Sequence, residues 1–183
     1  MRVIAGSARS LLLKTPAGDH TRPTTDRIKE TLFNVIQTEV PGAVFADLFS
    51  GSGAIGIEAL SRGAKKAYFV ENDSAAISCI EANLKHTKMQ DRSVVLKQDA
   101  IMAVEYSLRE AVDVIFADPP YGLGQDELLL QAASRNRFIT KDTLIIMEES
   151  KERDFSFAAD HGFAVIKEKI YKTNKHVFLR RES

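Results

Sequence analysis

Val44-Phe45-Ala46-Asp47-Leu48-Phe49-Ser50-Gly51-Ser52-Gly53-Ala54-Ile55-Gly56 decides the fold class. Its first six residues are an apolar run holding one carboxylate, and the run stops at Ser-Gly-Ser-Gly, as a buried strand does on entering a tight turn. A helix follows, with Ile55, Ala59 and Leu60 on its apolar face and Gly63 placed to end it. Downstream the alternation repeats. Residues 67–70 read as a second strand, Ile77, Ile80 and Leu84 recur at helical spacing, and residues 94–96 form a third strand. A helical segment over 101–108, a strand over 112–117, a helix around 128–133 and a strand over 143–147 complete the series. Strands apolar on both faces, separated by helix-length segments, indicate a mostly parallel, doubly wound α/β sheet of the Rossmann-like kind.

The ends break that rhythm. Residues 163–171 and 176–181 are strand-like runs separated by four residues, too few for a helix, and should form an antiparallel hairpin at one sheet edge. Residues 2–5 and 11–14 read as a second, smaller hairpin. Thr24 or Thr25 then caps a helix whose apolar face is Ile28, Leu32, Val35 and Ile36, with Asp26 in its first turn.

A chain of 183 residues fits one domain, here 1–183, with 1–40 as an extension and 41–183 as the core. With 44% hydrophobic and 27% charged residues, 5 Pro and 10 Gly, the composition is that of a soluble globular protein. No stretch approaches the roughly 18 apolar residues of a membrane span, and the N-terminus lacks a secretory leader, so a cytoplasmic, membrane-free protein is expected. The lone Cys79 has no Cys or His cluster beside it, so neither a disulfide nor a metal is expected. Zero formal net charge argues against a protein that coats nucleic acid through its overall field. Two basic clusters qualify that: Arg2, Arg9, Lys14, Arg22, Arg27 and Lys29 near the start, and Lys167, Lys169, Lys172, Lys175, Arg180 and Arg181 near the end. Each reads equally as a solvated face or a polyanion footprint. Both together tilt toward nucleic acid, with Arg2, Arg9, Lys14 and Arg22 as candidate contacts.

Ser50, Gly51 and Gly53 belong to a Gly-x-Gly-x-x-Gly turn, which lets a ligand approach the backbone closely. Glu71 lies 20 positions beyond Gly51, followed by Asn72, where an acid can accept hydrogen bonds from ribose hydroxyls. The pairing indicates a nucleoside-containing cofactor and leaves NAD and S-adenosylmethionine open. Asp47 separates them, because a carboxylate there suits an ammonium and a sulfonium and repels a pyrophosphate. It would equally brace the turn through backbone N–H groups. Asp99, followed by Ala100, ends the third strand on the same sheet edge and reads either as an acceptor for an adenine amine or as a helix N-cap.

Asp118-Pro119-Pro120-Tyr121 follows the fourth strand on that same edge. Two prolines fix two φ angles and contribute no N–H, so the loop is rigid and rich in acceptors. An exocyclic base amine is a poor nucleophile because its lone pair is delocalised into the ring. Accepting its two hydrogens on the Asp118 carboxylate and the Pro119 carbonyl favours a pyramidal nitrogen whose lone pair can meet a methyl donor in line. Asp118 can then take the released proton, and Tyr121 offers a ring for the base, worth about 1 to 3 kcal/mol in stacking. The four histidines are scattered and read as surface or packing residues.

Taken in order, Asp47 to Gly53, Glu71, Asp99 and Asp118 to Tyr121 resemble the motifs of class I amino-methyltransferases. The segment Thr21-Arg22-Pro23-Thr24-Thr25-Asp26-Arg27-Ile28-Lys29-Glu30-Thr31-Leu32-Phe33-Asn34 is similar to the signature of the RsmD family, whose members methylate N2 of a guanine in 16S ribosomal RNA. The resemblance spans nearly the whole chain. It implies S-adenosylmethionine as donor and the small ribosomal subunit or an assembly intermediate as substrate; a monomer is the default expectation for a chain of this size. It further implies an N-terminal segment closing over the cofactor, with Thr25, Phe33 and Asn34 as contacts. Family members often carry Gly-Arg near the first hairpin where this chain has Ser10-Leu11. Against it stand an adenine-N6 or cytosine-N4 methyltransferase, a nicotinamide oxidoreductase, and an RNA-binding assembly factor that performs no chemistry.

Overall fold

A computed structural model describes residues 1–17 and 26–182. Seven strands form one sheet: β1 (Val44–Leu48), β2 (Lys66–Glu71), β3 (Ser93–Lys97), β4 (Val114–Ala117), β5 (Leu144–Ser150), β6 (Phe163–Ile170) and β7 (Asn174–Arg181). Their order is β3-β2-β1-β4-β5-β7-β6, with the first five parallel and β7 antiparallel to both neighbours. The doubly wound expectation and the C-terminal hairpin are both met, and β7 is inserted between β5 and the edge strand β6. Chain order reverses between β1 and β4, so the crevice for a ligand opens at their carboxyl ends.

Alternation along the strands feeds two cores. Phe45, Phe69 and Phe116 face one layer, with α1 (Asp26–Val35), α2 (Ala54–Ser61) and α3 (Ser74–Thr87); Ala46, Val70 and Ile115 face the other, with α5 (Gln125–Arg135). Buried on all eight residues, α2 starts directly from the glycine turn. Gly56 permits that depth, because a Cβ there would stand 2.4 Å from the Phe69 ring. Gly56→Ala is expected to cost about 1 to 3 kcal/mol by overpacking, read as a lowered urea midpoint at unchanged slope. A cost below about 0.5 kcal/mol would show that Phe69 moves aside freely.

Three local expectations change. Helix α1 buries Lys29, Leu32 and Phe33, with Ile36 buried just past its end, a stripe turned by one residue from the predicted apolar face, so Lys29 is core rather than solvated surface. The cap expected at Thr24 or Thr25 lies outside the described residues. The helix over 101–108 is a short α4 (Ala100–Met102) followed by one π turn at Ala103–Ser107, because the carbonyls of Val104 and Leu108 accept from the Asn136 amide at 2.6 and 2.9 Å. The N-terminal hairpin is reduced to a single bridge, Arg2 to Leu12. Val3 N–H still donates to the Leu11 carbonyl across the two arms, but Ile4 and Ala5 donate instead to the buried Glu58 carboxylate of α2 at 2.9 and 3.0 Å. Ser10 sits at φ 72°, a left-handed conformation that glycine adopts without strain, and this is one of the two positions where the chain departs from the Gly-Arg pair.

Candidate active site

At the carboxyl end of β1 the backbone turns sharply, with Phe49 at φ 58°, Gly51 at 55° and Gly53 at 79°. Strain at a non-glycine residue such as Phe49 is tolerated where its surroundings over-determine it. Here Asp47 accepts the Gly56 N–H at 2.9 Å, the Ser50 hydroxyl donates to the Asp47 carbonyl at 2.5 Å, and the Ser50 N–H donates to Val70 across the sheet. Glu71 accepts the N–H groups of Gly51, Asn72 and Asp73 at 2.8, 2.9 and 3.0 Å. These fill three of its roughly four lone-pair sites and leave Oε2 capacity for one hydroxyl.

A cleft of about 810 Å³ opens over this turn. Asp47, Glu71, Asp73, Asp118 and Glu148 line it, and among the described residues no Lys or Arg does. Burial holds the Asp47 carboxyl well above its usual range; the Gly56 hydrogen bond opposes this, and the charges of Glu71 and Asp118 add to it. Asp118 is pushed up to about 8, first by burial and then by Glu148 and Glu149 on β5. Burial and mutual repulsion disfavour ionisation of these carboxyls in the empty cleft, and a cation entering it would favour their charged forms, so the cleft is complementary to a cation.

Asp118-Pro119-Pro120-Tyr121 begins where β4 ends and forms the cleft wall away from Glu71. Pro119 is buried, and Tyr121 is 44% exposed. Beside them Glu148 is nearly buried, its Oε1 accepting from Asn174 Nδ2 at 2.7 Å and its Oε2 from His176 Nε2 at 3.1 Å. His176 is fully buried and packs edge-on against Phe116 and Tyr171, so of the two expected roles, surface or packing, it takes packing, with the Glu148 hydrogen bond in addition.

Of the predicted cofactor residues, Asp47, Ser50, Gly51, Glu71 and Asn72 come together in the cleft, and Gly53 caps α2 beneath it. Asp99 is exposed and caps α4, its Oδ1 accepting from Ile101 and Met102 at 2.9 and 3.0 Å; Ala100 is buried behind it, and neither lines the cleft. Phe33 is a correction. It is wholly buried, stacked 6.3 Å from Phe45 under the Arg62 guanidinium, which leaves it no surface for a ligand. Asn34 is exposed on the same helix and does not line the cleft, and Thr25 and Arg22 lie outside the described residues.

The N-terminal segment closes on the cleft through other residues, Met1 and Thr15 to Ala17. Asn83 of α3 anchors it, pairing with both backbone groups of Lys14 at 2.8 and 2.9 Å while donating to the Ser52 carbonyl of the glycine turn. These contacts, with Glu148, carry no motif and escaped the sequence reading.

Of the basic clusters, Arg2 pairs with Asp26 at 3.1 Å, and Arg9 and the Lys14 side chain are exposed. Lys29 and Lys175 are buried, while Arg180 and Arg181 donate to carbonyls of Asp142, Ala133 and Ser134. Much of both clusters is therefore structural.

The sheet order, the glycine turn with its acidic partner, and the Asp-Pro-Pro-Tyr loop on one edge define the class I methyltransferase fold. The family described as Conserved hypothetical protein 95 matches residues 1–180, and the chain belongs to it, the RsmD family. YlbH of Bacillus subtilis, a candidate rRNA methyltransferase, is 39% identical over 154 residues, covering 83% of this chain and 84% of its own. Ribosomal RNA small subunit methyltransferase D of Haemophilus influenzae is 32% identical over 171 residues, covering 92% and 88%. The solved structure of yhhF from Escherichia coli, a candidate methyltransferase, matches with a TM-score of 0.85 at 30% identity, covering 100% of this chain and 98% of that one.

Proposed function

We infer that the protein transfers a methyl group from S-adenosylmethionine to the exocyclic N2 amine of a guanine in 16S rRNA, with the small ribosomal subunit or its assembly intermediate as partner. The observation that carries this is the cleft lined by five carboxylates, without Lys or Arg among the described residues, that runs from the glycine turn to the Asp118 loop. Such a cleft favours a donor bearing an ammonium and a sulfonium and disfavours the pyrophosphate of NAD. The ribosomal RNA substrate is supported by the relatives named above. The choice of guanine-N2 rests on the Thr21 to Asn34 resemblance.

In this reading Glu71 takes a ribose hydroxyl and Asp47 supports the cationic end of the donor. Bound S-adenosylmethionine supplies a methyl group whose bond to sulfur breaks, the electron pair staying on sulfur, as the amine nitrogen bonds to carbon. Asp118 and the Pro119 carbonyl hold the two amine hydrogens, and Asp118 removes one as the nitrogen becomes cationic. Tyr121 stacks on the base, and Pro120 fixes the loop. Arg2, Arg9 and Lys14, with Arg22, contact RNA phosphates.

Labelled S-adenosylmethionine offered with undermethylated small subunits, naked 16S RNA and DNA tests the assignment. Label is expected in N2-methylguanosine from small subunits. Label confined to methyladenosine or methylcytosine sinks guanine-N2, and cofactor binding without transfer to any substrate favours an assembly factor.

A further inference from the structure

Asp118, Glu148 and His176 form a row across three adjacent strands. Ala117 of β4 is in register with Met147 of β5, so Asp118 and Glu148 directly follow a paired position, and Glu148 pairs in turn with His176 of β7. The half of the cleft bearing Gly51 and Glu71 lies over β1 and β2, on the other side of Asp118. Glu148 is thus on the side of Asp118 away from the donor, where the target base must enter.

Its carboxylate is held rigidly. Asn174 and His176, 5% and 0% exposed, each occupy one oxygen. A carboxylate only accepts, so His176 Nε2 carries its hydrogen, and Nδ1 accepts from the Tyr171 hydroxyl at 3.2 Å. Burial, then the charge of Glu148, pushes the Tyr171 phenol up to about 12, which keeps it the donor in this chain. Two of the four lone-pair sites of Glu148 remain for the cleft it lines. An acidic side chain placed and oriented at such expense of desolvation calls for a partner that donates.

We propose that Glu148 accepts the N1–H of the target guanine while Asp118 and Pro119 hold its N2 amine, and so selects guanine over adenine and cytosine. The inference rests on the methyltransferase reading above. Guanine presents a ring N–H beside its exocyclic amine. Adenine and cytosine present a bare ring nitrogen there, which would meet the carboxylate lone pair to lone pair.

Once the wild-type enzyme has located its guanine, subunits reconstituted from ligated 16S RNA with 2-aminopurine at that position provide the test. This base keeps the 2-amine but has no N1–H. The wild-type kcat/KM should favour guanine by at least about 100-fold, since a polar group built for a missing partner is left unpaired. Glu148→Gln, whose amide can donate to the bare N1, should narrow the ratio to about tenfold or less, an effect that general loss of structure does not produce. Equal wild-type rates on the two bases overturn the proposal without any variant, and so does an unchanged ratio in Glu148→Gln. Absence of N2-methylguanosine from the wild-type reaction overturns instead the reading on which the proposal rests.

Discussion

Asp118→Ala is expected to lower the rate of methyl transfer by about 10³-fold or more while S-adenosylmethionine binding stays within about tenfold, because alignment of the amine and removal of its proton are lost together. Single-turnover transfer and equilibrium cofactor binding measure the two effects separately; a variant with near-normal rate refutes the role of Asp118. The same side chain makes a thermodynamic prediction of opposite sign. Its carboxyl is pushed up to about 8 by burial and by Glu148 and Glu149. Between pH 4 and 8 the folded protein therefore holds a proton that the unfolded chain has released. Stability contributed by that proton is complete below about pH 4 and is lost progressively as pH rises through about 8. Asp118→Asn should remove this slope and stabilise the empty protein at pH 7 by up to about 4 kcal/mol, a rise in Tm of several degrees. In kinetics, kcat/KM for the cofactor should rise with pH to a plateau above about 8, the limb of the free enzyme's Asp118 ionising. A pH-independent profile, or a less stable Asp118→Asn protein, contradicts the electrostatic account.

Glu58→Ala is expected to destabilise the fold by about 3 to 5 kcal/mol, since it strands a buried cation. The Glu58 carboxylate, fully buried in α2, accepts from Ile4 and Ala5 N–H, from Arg62 Nε at 2.8 Å, and lies 3.3 Å from Lys29 Nζ. Burial pulls the Lys29 ammonium below its usual range, and Glu58 is the main force opposing that. The loss should appear as a fall in Tm and as new proteolysis near the N-terminus, with weakened cofactor binding because Met1 and Thr15 to Ala17 line the cleft. Lys29→Met combined with Glu58→Leu should recover part of the stability but not the binding, the N–H groups of Ile4 and Ala5 remaining unpaired. A Glu58→Ala cost below about 1 kcal/mol would show that water replaces the carboxylate, and that the network does not hold the segment.

The contrast between these two carboxylates explains how far the site was legible. Asp118 announces itself because two prolines and a tyrosine follow it at the end of an apolar run, a local pattern with few physical meanings. Glu71 is legible from its distance beyond the glycine turn, set by one helix and one strand. Glu58 and Glu148 sit in ordinary surroundings, Ile57-Glu58-Ala59 and Met147-Glu148-Glu149, and nothing within a turn of either marks a buried acid. Phe33 failed in the other direction. A resemblance placed it at the cofactor, while helix phase turned it into the core with Leu32.

Local pattern by itself determined the alternation of strands and helices, the glycine turn, Glu71 and the Asp-Pro-Pro-Tyr loop, because each depends on residues within one structural unit and on periods of two or 3.6. Only the tertiary structure decided that the N-terminal segment docks on Glu58 and Asn83, that Lys29 and His176 are buried, and that Glu148 stands beside Asp118. Those facts depend on sheet order and register, which bring residues 118, 148 and 176 into one row. Burial and pairing at that range are properties of three-dimensional packing, and no short stretch of chain encodes them.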